Sequence, residues 1–156
     1  MTIHPTIDLT PRSARHYPNL PYHIQIAFSQ LGVKEFQGSP SNPQIEDYLE
    51  CVGMPSNDNI PWCSAFINWC LLEANISGTG SALARSFLGW GYEVLEPKVG
   101  DIVVIKRGVS KTKGHVYFYL DHGFGWIYGI GGNQNDRVGV NTYSSVRLLS
   151  YRRAFK

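Results

Sequence analysis

No stretch of the sequence approaches the roughly 18 consecutive apolar residues of a membrane span. The opening "MTIHPTIDLTPRSARHYPNL" also lacks the apolar centre of a signal peptide, so synthesis in the cytoplasm without a Sec-type signal is expected. Cysteine is scarce, with three residues at positions 51, 63 and 70. No two of them form a CxxC pair, which excludes the common structural-zinc spacings. An odd count in a reducing compartment supplies no disulfide framework. Charge of one sign is lacking too: 14 basic residues face 12 acidic ones, for a net +2. That balance argues against a nucleic-acid binder while tolerating a polyanionic partner. The one basic cluster, "YRRAFK", is short and reads as a solvated chain end. Internal repeats and low-complexity segments are absent.

What is present fits one domain. A chain of 156 residues that is 43% hydrophobic and 17% charged is neither disordered nor a coiled coil. It is long enough to bury roughly 70% of its unfolded-chain surface. Residues 1–18 carry Pro5, Pro11 and Pro18 and read as an extended arm before a single domain over 19–156. Leu20, Ile24, Ala27, Phe28 and Leu31 have helical spacing up to Gly32. "NPQIEDYLECVG" predicts a short helix capped by Asn42, with Pro43 at its first position. A third helix runs from near Trp62 to about Ala74 and is apolar over most of its circumference, as a buried helix is. "SALARSFLGWG" predicts a fourth, short one. The pattern then changes to β-rich runs, "DIVVIK", "HVYFYL", "GWIYGI", "VGVNTY" and "VRLLSYRR", separated by turn residues. Helices first and strands second give an α+β domain, its helices on one face of an antiparallel sheet of about five strands.

Within "NIPWCSAFINWCLLEANI", helix position separates two cysteines. Cys63 falls in the first turn, where free backbone N–H groups and the positive end of the dipole favour a thiolate. Cys70 lies two turns deeper and reads as a small core residue, as does Cys51 at the end of the second helix. A cysteine nucleophile needs a base and a group to orient it. Of the five histidines, His4, His16 and His23 lie in or near the polar N-terminal segment, and His122 lies in a turn. His115 alone opens an apolar strand. A hairpin around "GFG" would pair Leu120 with Tyr128 and His115 with Asn133, placing both side chains on one face. A one-residue slip would put Gln134 there instead, with Asn135 one diagonal away. The glycines of "GIGGNQND" fit a strand end that another segment approaches closely.

This order of a helix-borne cysteine, a strand-borne histidine and a polar residue on the next strand resembles papain-like cell-wall hydrolases of the CHAP and NlpC groups. The residues that carry the resemblance are "PWCSAFINWCL", "PKVGDIVVIKR", "GHVYFYL" and "IGGNQNDRVGV", spread over roughly residues 20–153. It is most similar to a small phage- and bacteria-associated branch with WC, GHV and GGNQ signatures. The resemblance implies a papain-like fold and cleavage of an amide bond in the peptide part of peptidoglycan. It makes Cys63 the nucleophile, His115 the base and Asn133 the orienting residue, with Gln134, Asn135 and Asp136 as alternatives at the third place. Asp101 of the "GD" pair reads as structural. The backbone N–H of Cys63 would help hold the oxyanion, with Asn57 and Asn59 as candidate second donors. Trp62, Trp90 and Trp126 are candidate stacking surfaces, and Arg85 a candidate partner for a stem-peptide carboxylate. The mechanism calls for no metal or cofactor. Without a Sec signal, such an enzyme is expected to reach the wall as a phage lysin or as a secreted antibacterial effector, the latter with a cognate immunity protein. Two rival readings share these motifs: a non-catalytic wall-binding domain, and a cysteine acyl transferase or deamidase acting on proteins.

Overall fold

The computed structural model describes residues 19–38 and 40–156, and the arm expected over residues 1–18 lies outside them. Among the described residues three α-helices precede a six-stranded sheet. Helix α1 spans Tyr22–Ser29, α2 Pro43–Glu50 and α3 Cys63–Glu73. The strands are β1 (Tyr92–Val94), β2 (Ile102–Lys106), β3 (Gly114–Gly123), β4 (Trp126–Gly131), β5 (Gly139–Ser144) and β6 (Leu148–Arg153). They pair antiparallel in the order β1-β6-β2-β3-β4-β5. The strand beyond the expected five is β1, whose three half-exposed residues carry no alternation from which to read it. The expected fourth helix is a 3-10 turn over Ala84–Gly89.

Local chemistry explains the helix ends. Pro21 is extended and accepts bonds from the N–H groups of Ile24 and Gln25, so α1 begins only at Tyr22. Asn42 caps α2, its side-chain oxygen accepting from the Gln44 N–H at 2.9 Å, with Pro43 first in the helix. Helix α3 has no side-chain cap at Trp62, so its first-turn N–H groups, those of Cys63 and Ser64 among them, are not taken up by a capping side chain. At its far end Asn75 takes the left-handed conformation in place of a glycine.

The sheet is buried on both faces. Ile102, Val104, Val116, Phe118, Leu120 and Ile130 pack against α1, α2 and α3, where Ile24, Phe28, Tyr48, Trp62, Phe66 and Cys70 complete the main core. On the other face Val103, Ile105, Tyr117, Tyr119 and Ile127 form a second cluster, flanked by their cross-strand neighbours Tyr143, Leu148 and Tyr151. Burial on two sides is why "IVVI" reads as a continuous apolar run rather than an alternation. Beneath β6, the buried Asp101 carboxylate takes a bidentate pair from Arg153, both contacts at 2.7 Å, and accepts the Lys98 N–H. This fits the structural role expected of it.

The β3–β4 register follows the expected pairing at Phe118–Ile130 and Tyr119–Gly129, and departs from it in two places. Near the tip a bulge at Leu120 hands Tyr128 to Asp121, and the turn closes on Phe124 and Gly125, both at positive φ. At the other end β4 stops at Gly131. Asn133, Asn135 and Asp136 adopt positive φ, so the chain curls away before Asn133 can face His115 on a ladder.

Candidate active site

The site forms where β4 leaves the sheet. Tyr119 directs its N–H toward β2, bonding to the Asp101 carbonyl. By alternation the N–H of Val116 points to the β4 side. There β4 has already departed, and the Val116 N–H lies close enough to the Cys63 sulfur to favour its ionised form. Gly132 makes the approach of α3 possible: a Cβ on it would lie 2.6 Å from Phe66 Cβ and 2.7 Å from Trp62 Cζ3. The first residue of α3 thus sits against the backbone of the strand that carries His115.

His115 is held from the other side by Gln134. Its Nε2 lies 2.9 Å from Gln134 Oε1. The Gln134 amino group donates to the Gly139 carbonyl at 2.7 Å and to the Gly129 carbonyl at 3.4 Å, so the amide can present only its oxygen to the ring. His115 therefore donates from Nε2, and Nδ1 keeps its lone pair. Among the described residues both hydrogen bonds of the His115 ring are made at Nε2 and none at Nδ1. Gly131 provides room for this amide, since a Cβ there would fall 2.9 Å from Gln134 Oε1 and 2.8 Å from Tyr117 Cβ. The expected close approach at "GIGGNQND" is thus present on both faces of the strand end. Tyr143 adds its hydroxyl at 3.2 Å from the same His115 nitrogen.

Burial sets the resting charge. Cys63, His115 and Gln134 are 6%, 3% and 3% exposed. Burial pushes the Cys63 thiol up, opposed by the N–H groups of Val116, Ser64 and Cys63 and by the Arg107 charge. Burial also lowers His115 to about 4; the Gln134 hydrogen bond raises it, and Arg107 and Arg147 lower it further. The helix-start position was expected to ease ionisation of the thiol; the Ser64 and Cys63 amides do act in that direction, against the larger effect of desolvation.

Several expected residues lie elsewhere. Asn133 is not the partner of His115; the positive-φ turn moves it off the ladder and brings Gln134 in. Trp62 is fully buried, with its indole N–H on Glu35 at 2.8 Å and its ring stacked on Tyr48, so it offers no stacking surface. Trp126 begins β4 beside Gly123, eight residues of strand from His115, about 26 Å at 3.3 Å per residue. Arg85 spends its guanidinium on the carbonyls of Lys113 and Ser110, bracing the β2–β3 loop. Trp90 donates to the Ser77 carbonyl and packs edge-on to Phe87. The Asn57 side chain accepts from the Asn59 N–H in an exposed turn, so Asn57 serves the turn rather than an oxyanion. Cys70 is fully buried, and Cys51 lies against the Ala65 carbonyl. Among the described residues no group of three or more His, Cys, Asp or Glu is placed to hold a metal.

A polar groove of about 640 Å³ adjoins the site along the chain. Its walls include Glu35, which holds Trp62, the turn residue Asn59, and Asp136 and Arg137 just after Gln134. Neither this groove nor Tyr143 was visible in the sequence, because both depend on segments far apart in the chain.

The CHAP domain family matches residues 55–133, about half of the sequence, a span that contains Cys63 and His115. The chain belongs to the CHAP domain family. The match stops one residue short of Gln134. Among solved structures, the crystal structure of a protein similar to a lipoprotein of the NLP/P60 family, from Staphylococcus aureus subsp. aureus Mu50, aligns with a TM-score of 0.53 at 21% identity. The alignment covers 86% of this chain and 41% of that one, so this chain spans less than half the length of that relative. That likeness shows a shared papain-like α+β fold. No curated protein matches the chain. CHAP domains are typically cysteine amidases or peptidases, and this CHAP domain buries Cys63 as well as the hydrogen-bonded pair His115 and Gln134.

Proposed function

We propose that this CHAP domain is a cysteine hydrolase that cleaves an amide bond in the peptide part of peptidoglycan, with Cys63, His115 and Gln134 as its working residues. The observation that carries the proposal is the fixed chain from the Gly129 and Gly139 carbonyls through the Gln134 amide to His115 Nε2, next along β3 to Val116, whose N–H acts on the Cys63 thiol. When substrate excludes the remaining water, the Cys63 S–H bond breaks and its proton passes to Nδ1. The sulfur electron pair forms the bond to the amide carbon. The Cys63 N–H, at the uncapped start of α3, faces the developing oxyanion. The proton on Nδ1 then goes to the leaving amine as the C–N bond breaks. A water molecule, activated by the same nitrogen, releases the acyl group and restores the thiol. Gln134 stays neutral throughout and works by orientation. The groove beside Glu35, Asn59, Asp136 and Arg137 is where the peptide stem would lie.

Amidase action at the muramoyl–alanine bond and endopeptidase action within the stem use the same three residues, and mass spectrometry of released fragments separates them. Delivery as a phage lysin or as a secreted effector with an immunity partner belongs to the same proposal. The decisive experiment adds the purified protein to cell-wall sacculi. Fragment release by the wild type and none by Cys63→Ala is expected. Fragments from Cys63→Ala would refute the reading.

A further inference from the structure

His115 has a second contact on the nitrogen that Gln134 holds. The Tyr143 hydroxyl lies 3.2 Å from Nε2, and the two rings are centred 5.1 Å apart. Tyr143 stands on β5 opposite Ile127, two strands from β3. Its phenol reaches His115 across β4, where Gly129 and Gly131 place no side chain on that face. The ring is pinned on two further sides. Tyr117 packs against it at 5.0 Å, and the Arg147 guanidinium lies over it at 5.3 Å. Arg147 is itself tied by its Nε to the Lys106 carbonyl at 3.1 Å. This hydroxyl is therefore aimed by packing rather than free to turn.

Because the Gln134 amide can present only oxygen, Nε2 carries the hydrogen, and Tyr143 Oη receives a share of it as a second acceptor. The charged groups acting on the ring are Arg107, from the β2–β3 loop, and Arg147, just before β6. Tyr117 and Tyr143 are the other titratable groups against it, and the Cys63 thiol acts on Tyr143 in turn. An imidazolium formed here meets two cations, so the neutral acceptors on Nε2 have to support its charge.

We infer that Tyr143 is a positioning residue that, together with Gln134, accepts the Nε2–H of His115 and stabilises the protonated ring while Cys63 is ionised. This rests on the reading of Cys63 as nucleophile and His115 as its base. In the step concerned the thiol proton moves from sulfur to Nδ1, the electron pair stays on sulfur, and the Nε2–H bond is unchanged.

The test is alkylation of Cys63 by iodoacetamide across pH, followed by peptide mass mapping to separate it from Cys51 and Cys70. This readout needs no knowledge of which polymer is cut. Tyr143→Phe removes Oη and keeps the packed ring. At pH 7 its Cys63 should react about five- to tenfold more slowly, with the midpoint displaced to higher pH and the melting temperature unchanged. A profile superimposable on the wild type, or displaced to lower pH, overturns the inference. Nitrogen NMR of the wild-type protein gives a check that does not depend on the variant folding: the Nε2–H tautomer of His115 is expected, and the Nδ1–H tautomer overturns it. A wild type inert toward sacculi but showing Tyr143-dependent alkylation would sink the cell-wall reading and leave this one standing. Hydrolysis with unchanged alkylation would do the reverse.

Discussion

The side-chain oxygen of Gln134 holds Nε2 of His115 at 2.9 Å, while the Gln134 amino group is spent on the carbonyls of two neighbouring strands. One glutamine thereby fixes both the orientation and the tautomer of a buried imidazole. Gln134→Leu removes the acceptor and leaves the site apolar. A hydrogen bond to a charged partner contributes about 1.5–3 kcal/mol, so kcat/KM on wall fragments should fall about 10- to 100-fold. Asn133→Gly, at a residue already in the left-handed region, should leave kcat/KM within about twofold and stability nearly unchanged. Steady-state kinetics on the two variants check the assignment, and the opposite ranking would return the third place to Asn133.

The two cysteines of α3 should separate cleanly. Cys63→Ala is expected to abolish hydrolysis with little change in urea midpoint. Cys70→Ala, which opens a small void in the core against α2, should cost about 1–2 kcal/mol and leave kcat intact. Urea denaturation paired with the sacculus assay measures both.

His115 is held at about 4, well below an ordinary histidine, chiefly by burial. A lowered folded-state value means that the unfolded chain binds the proton more readily. The neutral form's contribution is then fully present above about pH 6.5 and is lost as the pH falls from there toward 4. Urea melts at pH 7.5 and pH 4.5 should show wild type losing more stability than His115→Gln over that interval. Equal losses would show that His115 does not titrate in that window.

Gly132, just past the end of β4, lies tightly against Phe66 and Trp62 at the start of α3. A Cβ at 2.6 Å from Phe66 Cβ cannot be accommodated without a backbone shift. Gly132→Ala should cost about 1–3 kcal/mol and displace Gln134, so that activity falls further than stability alone explains. Thermal melting and kcat/KM on the same preparation check this, and full activity in a destabilised variant would show that Gln134 is positioned independently of Gly132.

Much of this architecture could be read from residue patterns. The apolar spacing of "NWCLLEANI", the Asn-Pro start of α2 and the five β-rich runs each encode local structure whose cause is local. Helix position distinguished Cys63 from Cys70, and strand position picked out His115. The match to a family over residues 55–133 rests on the same stretch. What could not be read was anything set by where a strand stops. Alternation along β4 predicts Asn133 opposite His115, and that inference holds only while the ladder continues.

The sequence by itself determined the α+β order and the buried α3, and it singled out a helix-start thiol and a strand-start imidazole, because propensity, periodicity and caps act over a few residues. Only the tertiary structure decided that Gln134 and Tyr143, rather than Asn133, meet His115, and that Trp62 and Arg85 brace the fold instead of the substrate. The physical reason is that a positive-φ turn and close-packed glycines redirect side chains by several ångströms, and burial then fixes their charge state; both effects exist only once distant segments have packed together.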